Sequence, residues 1–230
     1  MGSKTALSAA LVVVLLLALW PTANVLAQDT CPGCSVPAKV VHPNGFGPHS
    51  YARWQPKTGL LDSNGTSAFS MLMVHLTPPT ITATARAVVA IEGFDSQHVS
   101  AMEVSGLSFF VRIADPNGAT PSECSMTSPR FSIRWLDPIL GDNHTYFHCG
   151  IAAEMPVGVT ASHNGSTYQQ HIVNPALLFT LVPSTAIILS LAILWDDLGS
   201  THIDNISVTD ISLGCMPCTW TGPADNGTNQ

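Results

Sequence analysis

The chain has 230 residues, with 8 Lys and Arg against 15 Asp and Glu, and carries a formal net charge of −7. So few cations exclude a nucleic-acid partner, because phosphates must be neutralised by Lys and Arg. Charged residues make up only 10 % of the chain; its polar surface therefore rests on hydroxyls and amides, a composition common in exported β-proteins, and the length suits one sandwich or barrel domain.

In chain order, Lys4, an apolar run from Ala6 to Trp20 and Val25-Leu26-Ala27 have the positive start, apolar centre and small-residue cleavage site of a secretory signal peptide. Residues 1–27 are read as that signal, which makes the mature protein secreted. Residues 28–65 are turn-rich, with Cys31-Pro32-Gly33-Cys34, Asn44-Gly45-Phe46-Gly47-Pro48 and Asn64-Gly65, and Trp54 between them.

The first expected strand is Ala68–Leu76, and Ile81–Ile91 follows Pro78-Pro79; both are rich in β-branched or bulky apolar residues. Leu107–Ile113 is a third strand. Arg130–Leu136 is a fourth, with Phe131, Ile133 and Trp135 on one face. Thr145–Ala153, Tyr168–Val173 and Leu177–Val182 continue the series. Ala186–Trp195, a charge-free run, and an alternating stretch through Val208 are joined by a Gly-containing turn and read as a closing hairpin.

In that alternation Asp204 shares a face with Ile206 and Val208, expected to point inward. A transmembrane helix over Ala176–Trp195 is the competing reading; Pro183 interrupts it and no Lys or Arg follows Arg134 to orient a span. The expectation is no membrane span after signal removal. The pattern as a whole predicts an all-β, antiparallel jelly-roll-like β-sandwich, a single domain over residues 28–218, with 219–230 a disordered tail.

The segments GLSFFVRIADPNGATPSECSMTSPRFSIRW, FHCGIAA and SLAILWDD with THIDNISV carry a resemblance, through Leu107, Ser108, Phe109, Ser128, Pro129, Arg130, Phe131, Asp204 and Asn205. Over Ala83–Val208 the chain resembles secreted bacterial jelly-roll modules of unassigned function, similar in architecture to galactose-binding-like and carbohydrate-binding-module-like sandwiches. The resemblance implies a non-catalytic extracellular module with a glycan or cell-envelope component as partner. Carbohydrate-binding relatives often open with Asn-Gly-x-Phe-Glu, whose acid helps hold a structural calcium; here the segment is Asn44-Gly45-Phe46-Gly47, with no acid.

Cys31, Cys34, Cys215 and Cys218 form two Cys-x-x-Cys pairs at the ends of the domain. Their spacing admits zinc in a reducing compartment and disulfides in an exported chain. If the first and last expected strands lie side by side, bridges between the two pairs staple the chain ends. Cys124 and Cys149 flank the Arg130–Leu136 strand and make the remaining disulfide candidate.

An inward Asp204 must be hydrogen-bonded, paired or bound to a cation; a structural calcium with Asp196 or Asp197 is the metal alternative, and no other cofactor is expected. His144 and His148 are four apart in a strand, about 13 Å, too far to share a metal. Trp135 and Trp195 fit core positions, whereas Trp54 and Tyr146, in or near loops, are the candidate sugar-stacking residues. No acid/base motif is apparent, so a secreted hydrolase with unpatterned carboxylates and a purely structural exported protein stand as alternatives.

Overall fold

The structure, a computed structural model, describes residues 41–47, 49–61, 68–76, 86–91, 104–115, 124–210 and 218–220, with single positions at 65, 117 and 222. The signal peptide, Cys31, Cys34, Cys215, the side chain of Cys218 and the tail beyond 222 lie outside the described residues, as does residues 81–85 of the second expected strand.

Two antiparallel sheets pack face to face. One runs β1 (Val41–Phe46), β4 (Arg86–Ile91), β10 (Ile187–Trp195), β6 (Arg130–Asp137), β7 (Gly141–His148) in spatial order. The other runs β2 (Ser50–Pro56), β3 (Phe69–His75), β11 (Gly199–Asp210), β5 (Val104–Ala114), β9 (Ser166–Ile172), β8 (Val157–His163), with β12 (Cys218–Trp220) paired onto β11. The all-β antiparallel sandwich expected from the sequence is therefore observed.

Four expectations about elements change. The closing hairpin is not one: β10 pairs with β4 and β6, whereas β11 pairs with β3 and β5 in the opposite sheet. The Asp196–Leu198 turn thus crosses between sheets, as jelly-roll connections do. The expected strand Leu177–Val182 is not one: residues 177–181 lie in a short helix, α1 (Pro175–Leu181), begun by Asn174, whose side chain accepts from the Ala176 N–H, and Val182 caps its end. Asn at N-cap with Pro at N1 is a helix-start pair. The turn-rich region holds β1 and β2, and Thr145–Ala153 turns away after His148. No helix among the described residues is long and apolar enough to cross a membrane.

The expected juxtaposition of the Ala68–Leu76 strand with the Asp204–Val208 segment's strand does occur, as β3 against β11 with Met71 opposite Ile203. Period-two alternation sends Phe131, Ile133 and Trp135 of β6, Phe147 of β7 and Ile193 and Trp195 of β10 inward, where they meet Met71, Met73, Phe109 and Val111 from the other sheet. Phe109 and Phe131 bridge the sheets with ring centroids 5.2 Å apart. Each such side chain contributes about 1.5–3 kcal/mol on burial, so this seam is what holds the two sheets together. The buried indole of Trp135 donates to Thr145 Oγ1 at 2.9 Å, which leaves no unpaired donor at that point of the core.

Candidate binding face

The inward residues of β6 and β7 determine what their outer face carries: Arg130, Ser132 and Arg134 from β6, and His144, Tyr146 and His148 from β7. Arg130 lies opposite His148, Ser132 opposite Tyr146, and Arg134 opposite His144. Along β7 the three rings form a row, His144 to Tyr146 at 6.2 Å and Tyr146 to His148 at 6.3 Å between centroids. Tyr146, 36 % exposed, is the centre of that row.

Ion pairs frame it. Arg130 lies over the Tyr146 ring, its Cζ 5.1 Å from the centroid, and forks onto Asp196 with N–H to oxygen distances of 2.7 and 2.5 Å. Such a two-point fork fixes the guanidinium plane as well as its position. Arg134 pairs with Asp142 through Nε, 3.0 Å from Oδ1. That hydrogen bond holds the Asp142 carboxyl below its ordinary range. Glu154 Oε2 takes the His148 backbone N–H at 2.8 Å and faces His148 Nδ1 at 2.7 Å.

The neighbouring turn is pinned to the same end of the sheet. Asp197 accepts from the hydroxyls of Ser125 and Thr127, and its own N–H donates to Ser128 Oγ at 3.2 Å. Burial pushes the Asp197 carboxyl up, but the hydroxyls of Ser125, Thr127 and Ser128 and the charge of Arg130 outweigh it and hold it low. The expected disulfide Cys124–Cys149 is formed, tying the start of this turn to the end of β7.

Asp204 is elsewhere. Asn205 takes a left-handed backbone, φ 42°, and the β11–β5 ladder shifts register there. This bulge keeps Ile206 and Val208 in the main core but turns Asp204 to the outer face of its sheet, correcting the inward expectation. It is nevertheless fully buried, because residues 57–60 cross over it as a strap. Leu60 N–H donates to Asp204 Oδ2 at 2.6 Å, and Asn205 N–H donates to Oδ1 at 2.7 Å. A small second core of Leu60, Phe110 and Tyr168 seals the strap, and Tyr168 donates its hydroxyl to Thr58 O.

Burial raises the Asp204 carboxyl to about 7 and the Tyr168 hydroxyl to about 12. His202, beside them on β11, is pushed down to about 3 by burial and by the charge of Arg112.

The structure does not bring the calcium candidates together. Asp196 is taken by Arg130 and Asp197 by hydroxyls, at the turn before β11, whereas Asp204 lies five residues into that strand from Gly199, about 17 Å along it. Among the described residues no three His, Cys, Asp or Glu side chains group as a metal site would require. Trp54 is not in a loop: it belongs to β2 and packs half-buried against the main core. Tyr146 is likewise on a strand, yet on its open face. Not foreseen from the sequence were Arg130, which lies over its ring, and Glu154, which holds the neighbouring His148. The signal available was His144, Tyr146 and His148 at every second position, which puts three rings on one face of any strand. No family model, curated protein or solved structure matches the chain.

Proposed function

We propose that this protein is an extracellular, non-catalytic recognition module that binds carbohydrate on the outer face of β6 and β7. The observation that carries this reading is Tyr146, an exposed ring set between two imidazoles on a flat sheet face with Arg130 packed against it. A sugar presents an apolar C–H face to such a ring, and its hydroxyls need donors and acceptors close by. The flanking ion pairs supply both. A rigid aromatic contributes contact area at little entropic cost, since few of its torsions must be frozen.

A glycan array and calorimetric titration of the secreted chain test this. Binding to at least one oligosaccharide class is expected, with Tyr146→Ala weakening it at least tenfold, about 1.4 kcal/mol. Failure of every glycan and every cell-envelope fraction to bind overturns the reading.

One observation favours the hydrolase alternative. Glu154 holds the Nδ1 side of His148, the orientation a general base requires. On that reading His148→Gln abolishes turnover of a bound glycan and leaves its affinity intact. On the recognition reading no turnover exists to lose.

A further inference from the structure

Resting on the recognition reading, we propose that the ligand is an uncharged, linear glycan segment that stacks one sugar on Tyr146 and runs across the strands over Ser132, Ala192 and Ala90. The strand register carries the path. Tyr146 lies opposite Ser132, Ser132 opposite Ala192, and Ala192 opposite Ala90, so one line crosses β7, β6, β10 and β4. From β6 to β4 every side chain on that line is small and all three remain partly exposed; on β1 the next residue in register is His42.

The line on one side is larger throughout, and that on the other is larger across β7 and β6. On one flank His148, Arg130, Leu194 and Val88 are register neighbours. On the other stand His144 and Arg134 across β7 and β6, and the next residue in register, on β10, is the small Ser190. The result is a shallow trough, walled on both sides across β7 and β6 and on one side across β10 and β4. At about 4.8 Å between strands it is about 14 Å long, and its flanking lines are about 13 Å apart. A single extended chain of sugar rings fits those dimensions, and a branch would meet the flanking arginines.

Charge decides the ligand class. Each arginine beside the trough already has its own carboxylate, Asp196 for Arg130 and Asp142 for Arg134, and Glu154 faces His148. Among the described residues no Lys or Arg on these flanks lacks a carboxylate partner, so none is left to receive a uronate or sulfate, and the chain as a whole carries −7. An acidic sugar would have to displace a bidentate partner or lie unpaired beside carboxylates, and both are unfavourable. Hydroxyls meet no such barrier, because a paired ion still has donor hydrogens and acceptor lone pairs to share.

The test is calorimetric titration of the secreted chain with neutral gluco-, xylo- and manno-oligosaccharides of two to six units, beside oligogalacturonate and a sulfated oligosaccharide. Expected is binding to a neutral series that tightens with length up to the trough's span, lost at least tenfold in Tyr146→Ala and in Ala192→Phe, which fills the trough. Ser132→Leu serves as a second filling variant, and melting curves check that each variant is folded. Acidic oligosaccharides binding better, and losing affinity in Tyr146→Ala, would overturn the neutral class but leave the recognition face standing. Loss in Tyr146→Ala with no effect of either filling variant would overturn the path across the sheet. No binding by any glycan would overturn the recognition reading itself.

Discussion

Two neighbouring residues on β11 work against each other as the pH changes. Asp204 has its folded-state value at about 7, against about 3.9 in an unfolded chain. Between those values the folded state binds the extra proton, so this group makes the protein more stable as pH falls from 7 towards 4. His202 is held at about 3, against about 6.5 unfolded. Here the unfolded state binds the extra proton, so this group makes the protein less stable as pH falls below 6.5. The charged and polar groups facing them are Arg112, which pairs with Asp115 at 3.0 Å, Tyr168 and Gln55. The two slopes cancel from about pH 4.5 to 6.5, and single variants unmask them. Asp204→Asn is expected to lose stability on acidification through that window, and His202→Gln to gain it, each by about 1.4 kcal/mol per pH unit at most. Urea unfolding at several pH values reads this out; parallel curves for wild type and both variants would disprove it. The presence of a special carboxylate at Asp204 was legible in the sequence, since an acid within an apolar alternation must be satisfied. Its face was not, because one left-handed residue, Asn205, inserts a bulge that period-two counting does not contain.

At the scale of elements, the strap over Asp204 depends on close approach. A Cβ on Gly59 would lie 1.8 Å from Phe69 O and 2.7 Å from Asp204 Oδ2, both far inside van der Waals contact. Thr58 meanwhile ties the strap down, with its hydroxyl bonded to Gln55 O and to Ser70 Oγ. Gly59→Ala must therefore lift the strap, and it is expected to cost about 2–3 kcal/mol and to uncover Asp204. Hydrogen exchange at the Leu60 amide, which donates to that carboxylate, should accelerate with it; unchanged exchange and stability would mean the strap has slack. Nothing in the sequence marked Lys57–Leu60 as a strap, because its partner is 144 residues away. The strands of the β6–β7 hairpin were legible, since Phe131, Ile133 and Trp135 alternate with polar residues. α1 was misread for a physical reason: seven mostly apolar residues between turns satisfy strand and helix alike, and only the Asn174-Pro175 start distinguishes them. β8 escaped because its valines, Val157 and Val159, face solvent on an edge and present no buried period.

At the scale of the whole molecule, the proposed binding face is the outer β6–β7 side of a sandwich whose local rigidity is added covalently. Cys124–Cys149 joins the pinned turn of Ser125–Ser128 to β7, and that turn in its backbone carries Thr127 O, a partner of Arg130. The bridge closes a loop of 25 residues, for which the chain-entropy model gives about 3–4 kcal/mol. At about 2–4 °C per kcal/mol for a chain of this size, losing it is expected to lower the melting temperature by about 10 °C. A reductant is the wrong tool, because it is not selective in a chain of six cysteines. The double variant Cys124→Ala/Cys149→Ala isolates the one bond, and keeping both sites apolar suits the buried environment of Cys149. The sheets themselves should survive, since their ladders and the Phe109–Phe131 seam do not run through the bridge. What changes is the fixation of Arg130 over Tyr146. Glycan affinity in the double variant is therefore expected to fall even at temperatures where far-ultraviolet dichroism reports an intact β-fold. Full affinity together with a lowered melting temperature would show that the bridge stabilises the sandwich without positioning its binding face.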